Sequence, residues 1–509
     1  MFPLTSVADA RPETAGIAPA AGIPGGAFIE GQWQTHALDL PVRNPENGQI
    51  LAMVCVSTPA EVKGAIGHIH EHLAAGDWPL RSRREALERT SRFLLERAES
   101  FARLIASEAS KTIREAEREV QRAAETLRLS AAAAAELAGE TLDFEDSLAG
   151  PGKIGWYQRK PVGIVAAITP FNDPLNLVAH KLGPALIAGN GVVLKPSART
   201  PLSGLALVNL LLEAGVPSGR IAAVVSGPGV SEALTTDERI DLISFTGGPR
   251  TADRIAAAAG AKKIVSELGG NNPTIVCADA DPAWAAEAIV AGAFGVAGQN
   301  CLSVQRVYVH ATLFQTVVDQ VARGAAALTV GPKLDRGTDV GPLISEDEAR
   351  RVEDWVDEAR AAGATVHSGG QRRGAFYDPT VLTGVPAECR VLREEVFGPV
   401  VTLVPFTDTA EAIAAANDSE YGLQAGVFTR SVDQALAIAE KLHVGAVVVN
   451  ETSDVRIDSM PFGGFKKSGV GREGVRFAVL EMTEPKNIII TLNPAQAQHP
   501  GGLAERPAS

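Results

Sequence analysis

The sequence predicts an α/β protein built from two successive Rossmann-like, doubly wound layers. Three observations carry that prediction. From Lys160 onward, short apolar runs such as VGIVAAITP, GVVLKP, IAAVVSG, LISFTGG and KKIVSELGG alternate with amphipathic segments such as LVAHKLGPALIAG and LSGLALVNLLLEAG. The same alternation resumes at NPTIVCADA and continues to about Asn450. Buried runs separated by helix-length segments are the signature of βαβ units around a parallel sheet. The third observation is NIIITL (487–492), a β-rich run that stands alone after the last helical segment. A strand without a local partner is a candidate for pairing with another subunit.

The remaining segments read in order. Residues 1–26 are rich in Ala, Pro and Gly and predict a mobile arm. FIEGQW and VRNPENGQI read as short strands separated by turns. From about Pro59 to Gly139 the pattern is helical, with Leu94, Leu95, Ala98, Phe101 and Ala102 at helix spacing and Arg and Glu on the other positions. The run SAAAAAELAGE has high helix propensity. The Pro/Gly/Ala-rich stretch 498–509 reads as a disordered tail.

Bulk composition excludes several functions. Hydrophobic residues make up 45% and charged residues 21% of 509, enough for a large core without disulfides or a structural metal. A net charge of -13 argues against a nucleic-acid partner, which needs a basic face. It leaves room for a small anionic ligand, because local arginines override a global charge. Cys55, Cys277, Cys301 and Cys389 form no CxxC pair, so no zinc ribbon or disulfide framework is expected, and no metal site. So few cysteines in so long a chain suit a reducing compartment. The N-terminus lacks a basic start followed by an apolar run, and no apolar stretch is long enough to span a bilayer. These features predict a cytoplasmic protein without membrane contact.

Three residues have settings that permit chemistry. Cys301 sits in FGVAGQNCLSVQRV, crowded by Gly295, Ala297 and Gly298, with a helix expected to follow. A lone cysteine is more often a small buried hydrophobe than a nucleophile. Glu267, in SELGGNNP, ends an apolar run at the mouth of a parallel sheet, where a general base can sit or where a solvated loop carboxylate would be ordinary. Asn172, in TPFNDP, can donate to an oxyanion or can serve simple turn chemistry. Taken singly, each residue favours the plainer reading.

The combination changes that weighing. ITPFNDP, LKPS, FTGG, ELGGNNP, GQNC, EEVFGP and MPFGGFKKSGVGREG occur in this order. From FIEGQW to NIIITL the chain resembles the aldehyde dehydrogenase superfamily. The resemblance implies that Cys301 attacks an aldehyde as a thiolate, that Asn172 and the Cys301 backbone N–H hold the oxyanion, and that Glu267 activates water to hydrolyse the resulting thioester. Relatives that pass the acyl group to coenzyme A generally lack this base, so a free acid is the expected product. A scaffold without catalysis is the alternative from another class, and the intact trio argues against it.

For the cofactor, NAD or NADP, the resemblance assigns Lys195 to the adenosine ribose and counts Ser197 among the cofactor-binding residues. It assigns Gly247 and Gly248 to the pyrophosphate turn, and Glu395 and Phe397 to the nicotinamide ribose and ring. Thr169, Pro170 and Leu268 complete the set. NAD-preferring relatives often carry glutamate where this chain has Ala198, followed by Arg199, so a 2′-phosphate is not repelled. Gly248 replaces a serine found in many relatives, with no consequence assigned.

LNLVAHKLGPAL and DVRIDSMPFGG resemble the branch that handles lactaldehyde, glyceraldehyde 3-phosphate, phosphonoacetaldehyde and similar short polar aldehydes. By that resemblance Arg122 and Arg456 bind an anionic or hydroxylated substrate, and Phe462 lines its tunnel. The competing readings are ion pairs of Arg122 with Glu119 or Glu125, ion pairs of Arg456 with Asp454 or Asp458, and a core role for Phe462. Asn300 stands where phosphorylated-triose relatives carry arginine, which weakens a phosphate substrate. The family architecture implies a cofactor domain (27–144 and 163–272), a catalytic domain (273–480) and a small β bridging element (145–162 and 481–497). In the family that element joins a homo-oligomer, a dimer or tetramer.

Overall fold

The computed structural model describes residues 26–34, 36, 38–227 and 229–492. Residues 1–25 of the arm expected over 1–26, the tail expected over 498–509, and residues 493–497 of the expected bridging piece lie outside the described residues.

Two large sheets organise the chain. In the first, five parallel strands run in the spatial order Ile221–Ala223, Gly191–Lys195, Ile164–Ile168, Leu242–Thr246, Lys263–Glu267. In chain order that is 3-2-1-4-5, the doubly wound arrangement, and its direction reverses between Ile164–Ile168 and Leu242–Thr246. Strand Ile164–Ile168 is buried on both faces, as its unbroken apolar sequence requires. The second sheet runs Thr365–Ser368, Thr380–Thr383, Val400–Phe406, Val304–His310, Asn272–Val276, Gln424–Phe428, Ala446–Val449, with only the Thr365 edge antiparallel.

The junction between the sheets places the site. Glu267 ends the last parallel strand of the first sheet, and Asn272 opens the second sheet five residues later. The carboxyl ends of the first sheet therefore face the amino ends of the second. Against this junction pack helix Ile113–Ala132, started by a Thr112–Glu115 capping box, and helix Asn176–Ala188.

Four readings need correction. No helix follows Cys301; after a turn the chain enters strand Val304–His310, whose β-branched residues are buried in the second sheet. NIIITL is not orphaned: strand Thr483–Thr491 pairs antiparallel with Lys153–Pro161 of the same chain, Thr483 opposite Pro161 and Thr491 opposite Lys153. The Ala-rich run leaves the α-helix at Ala132 and continues as a 3-10 turn, Ala133–Leu137. Finally, Gly469–Val470, inside the range expected for the second domain, adds antiparallel to Lys263–Glu267 of the first sheet. Helix Val475–Glu481 packs on Asn176–Ala188, also beside the first sheet. Among the described residues no helix is long and apolar enough to cross a membrane.

Candidate active site

Cys301 follows a strained turn. Val296 and Ala297 both hold left-handed backbone (φ 53° and 52°), and Gly298 (φ 68°) continues it. A side chain on Gly298 would collide with the Gly398 carbonyl, so this position requires glycine. Non-glycine residues held in left-handed backbone cost on the order of 1–3 kcal/mol each and persist only where the surroundings over-determine them. Here Glu115 accepts from Val296 N at 2.7 Å, and Gln299 donates from its backbone and side chain to the Val296 carbonyl, both at 3.1 Å. Asn272 Nδ2 then donates to the Cys301 carbonyl at 2.7 Å. The nucleophile candidate is thereby fixed from both sides.

Asn172 lies in the turn between strand Ile164–Ile168 and helix Asn176–Ala188. Glu119 Oε1 pins that turn by accepting from Leu175 N (2.8 Å) and Asn176 N (3.0 Å). Lys111 ties it further, bonding Glu119 at 2.7 Å and Asp173 beside Asn172. Asn172, Cys301, Arg122 and Arg456 all line one cavity of about 520 Å³.

Glu267 stands behind this cavity rather than among its lining residues. It is 2% exposed and neither carboxyl oxygen has a hydrogen-bond partner. Burial, together with the charge of Glu473, pushes its carboxyl well above the ordinary range, while Arg456, Lys181 and Arg472 oppose the rise. Burial likewise pushes the Cys301 thiol up to about 12, against the pull of Arg456. At that value the Cys301 thiol is protonated at neutral pH.

Arg456 is the common neighbour. Its guanidinium stacks 4.0 Å from the centre of the Phe462 ring, pairs with Glu473 at 3.1 Å and leaves Nε buried without a partner. Neither Asp454 nor Asp458 is its ion-pair partner, contrary to the alternative reading. Phe462 is 2% exposed and packs with Leu302 and Leu423, so it supports the wall under Arg456 and does not line the cavity. Arg122 lines the cavity but bonds Asp458 (2.7 and 3.3 Å) and approaches Asp173 at 3.7 Å; Glu119 and Glu125 are not its partners.

The expected cofactor residues gather at the switch point of the first sheet. Thr169 ends Ile164–Ile168 with its hydroxyl buried and unpartnered. Lys195 ends the neighbouring strand, and burial lowers its ammonium. Gly247 N donates to the Glu267 carbonyl at 3.1 Å, and Gly248 opens helix Pro249–Ala259 in open space, with nothing within 4 Å of where a Cβ would point. Leu268 N donates to Ser468 O at 3.0 Å, and Ser197 Oγ accepts from Arg199 N at 3.2 Å. Glu395 Oε1 accepts from Gly270 N (3.0 Å), Oε2 has no protein donor among the described residues, and burial lifts the carboxyl to about 7. Phe397 has φ 46° and meets Phe171 edge-on at 5.7 Å. Pro170 is half-buried beside Thr169. A buried free hydroxyl, a carboxylate oxygen without a donor and a helix N-terminus in open space at a switch point fit a dinucleotide.

Sequence reasoning missed Lys181, Glu473, Asp454 and the clamps Glu115, Glu119 and Gln424. Lys181, a lysine in the largely apolar helix Asn176–Ala188, was the one visible signal.

The family comparison agrees with this geometry. The aldehyde dehydrogenase family model matches residues 33–488. The chain belongs to the aldehyde dehydrogenase family. It is 44% identical over 469 residues to a 3-sulfolactaldehyde dehydrogenase of Priestia megaterium, covering 92% of this chain and 98% of the relative. Among solved structures, aldehyde dehydrogenase 21 from Physcomitrella patens with the reaction product succinate superposes with a TM-score of 0.90. It shares 35% identity and covers 92% of this chain and 99% of that one. The NADP complex of glyceraldehyde-3-phosphate dehydrogenase GapN from Methanocaldococcus jannaschii has a TM-score of 0.85 and 37% identity, covering 90% of this chain and 100% of that one. The protein is thus an enzyme that oxidises an aldehyde to an acid with NAD or NADP.

Proposed function

We propose that Cys301 is the nucleophile, Asn172 the oxyanion donor and Glu267 the base that releases the acid. The observation that carries this reading is the Glu267 carboxyl, buried beside Cys301 with both oxygens unpartnered. A buried polar group left unpaired in a native fold calls for an explanation, and a water held for thioester hydrolysis supplies one. Cys301 Sγ bonds the aldehyde carbon, and its proton leaves to Glu267 or water. The Asn172 amide and the Cys301 N–H stabilise the alkoxide. A bound nicotinamide supplies the hydride acceptor. The carbon then held on Sγ is a thioester, and Glu267 removes a proton from the water that attacks it. Burial raises this carboxyl above the ordinary range, which makes it a stronger base once ionised. Lys195 and Ser197 would hold the adenosine ribose, Gly247 and Gly248 the pyrophosphate, and Glu395 the nicotinamide ribose. The presence of Glu267 disfavours acyl transfer to coenzyme A.

We further infer a short anionic or hydroxylated aldehyde as substrate. Arg456 supports this, since it lines the cavity with Cys301 and has a free, buried Nε–H. Arg122 is the weaker contributor, because Asp458 already occupies it. The names of the relatives point the same way. A homo-oligomer, dimer or tetramer, is supported by the outer edge of strand Thr483–Thr491, which exposes Ile489 and Ile490. The scarcity of cysteine supports a cytoplasmic setting.

The test is cofactor reduction with NAD and NADP across lactaldehyde, succinic semialdehyde, phosphonoacetaldehyde and hexanal. The three polar aldehydes should have the higher kcat/KM. A preference for hexanal would sink the substrate reading.

A further inference from the structure

A carboxyl group shares the cavity with Cys301 and has no part in the chemistry above. After strand Ala446–Val449 the chain turns back along strand Gln424–Phe428 and carries Asp454 and Arg456 to the cavity wall. That return is clamped. Gln424 Nε2 donates to the carbonyls of Ser453 (2.8 Å) and Val455 (2.7 Å), on either side of Asp454. Ser453 Oγ donates to the Leu302 carbonyl at 2.8 Å, one residue from the nucleophile. The backbone that bears Asp454 is therefore set relative to Cys301 before any ligand arrives.

The side chain is set as well. Asp454 Oδ1 accepts from Asn300 Nδ2. Asn300 Oδ1 in turn accepts from Leu302 N at 3.1 Å and lies 3.8 Å from the Cys301 thiol. Among the described residues, Asp454 Oδ2 receives no hydrogen bond and the carboxyl has no ion-pair partner. Burial lifts it to about 7, with the Arg122 charge opposing. Asp454 lines the cavity, so a carboxylate oxygen without a protein donor is free to accept a hydrogen bond from a ligand held there.

We propose that Asp454 is the specificity-determining acceptor of this site: its Oδ2 takes a hydrogen bond from a hydroxyl or ammonium group within two carbons of the aldehyde, while Arg456 holds the anionic end of the same molecule. This rests on the reading of Cys301 and Arg456 given above and narrows the substrate class. The substrate is a short aldehyde with a donor next to the reacting end and an acidic group beyond it. Arg456 lies two residues from Asp454 on the same clamped segment, so the two poles keep a fixed separation. Sites built to hydrogen-bond a substrate donor reject the analogue that lacks it, because the site's own polar atom is then stranded.

Matched pairs test the proposal: lactaldehyde against propanal, and aspartate semialdehyde against succinic semialdehyde. The donor-bearing member of at least one pair should have a kcat/KM higher by roughly tenfold or more. Asp454→Ala should bring that ratio to within about twofold of one, a change that general damage to the site would not produce. Asp454→Asn, which keeps an acceptor oxygen but no charge, should retain a hydroxyl preference and lose an ammonium preference. Ratios near one in the unaltered enzyme, or a preference that survives Asp454→Ala, would overturn the proposal. A second readout needs no turnover. Malate should protect Cys301 from iodoacetamide better than succinate does, and Asp454→Ala should abolish the difference; equal protection in the unaltered protein also overturns it. Absence of cofactor reduction with every aldehyde would refute the dehydrogenase reading, while the protection experiment would still decide on Asp454.

Discussion

Lys181 and Glu473 form an ion pair of 2.6 Å in the wall behind Glu267, and neither side chain reaches solvent. Lys181 comes from helix Asn176–Ala188 and also donates to Ser244 Oγ at 3.0 Å. Burial works against ionising Glu473, yet Lys181 and Arg456 outweigh it and hold the carboxyl below the ordinary range. The negative charge so maintained adds to burial in raising the Glu267 carboxyl above the ordinary range.

Removing the cation should therefore be expensive. Lys181→Met strands the Glu473 charge with Arg456 alone and should destabilise the protein by about 3 kcal/mol, the size found when one member of a buried pair is deleted. Denaturant unfolding measures it. Because the folded-state pKa of Glu473 is depressed, its contribution is complete above its ordinary value of 4.5 and is lost as pH falls through the lower folded value. The difference between the two proteins should accordingly shrink below pH 4.5.

Arg456 is the principal charge favouring the Cys301 thiolate. With the thiol pushed up to about 12, the rate of alkylation by iodoacetamide should climb through pH 7–9 without reaching a plateau. Arg456→Met should slow alkylation at pH 8, roughly tenfold for each unit by which the thiol rises. An unchanged rate would show that Arg456 does not act on the nucleophile.

These pairings show where the sequence stopped being informative. The parallel strands were legible because buried strands such as Ile164–Ile168 are apolar without interruption, and Leu242–Thr246, also buried throughout, is broken only by the small hydroxyls of Ser244 and Thr246. The motif residues Cys301, Glu267 and Asn172 were legible because local patterns surround each one. The strand after Cys301 was not, since its polar Gln305 and Arg306 hide a buried element: Gln305 Oε1 accepts from Val396 N and Arg306 donates to Asn271 O. The partner of NIIITL lies more than 300 residues upstream, in a strand rich in Lys, Arg and Gln. Arg456 was given aspartates nearby in sequence as alternatives, whereas its acid, Glu473, is brought in by the return of Gly469–Val470 to the first sheet.

The cofactor pocket offers a third check. Ala198 lies three residues after Lys195, proposed above to hold the adenosine ribose, and would present no carboxylate to a 2′-phosphate there. Ala198→Glu should lower kcat/KM with NADP by roughly tenfold or more, since like charges at contact cost several kcal/mol. Activity with NAD should be affected less. Equal loss with both cofactors would place Ala198 away from the ribose.

The central claim is that Glu267 releases the acyl group from Cys301 to water, and pre-steady-state cofactor reduction in Glu267→Gln tests it most directly. The variant should give a burst of about one reduced cofactor per site, followed by steady turnover slower by about 10²-fold or more, the usual contribution of a general base. Steady turnover at the unaltered rate would contradict the claim.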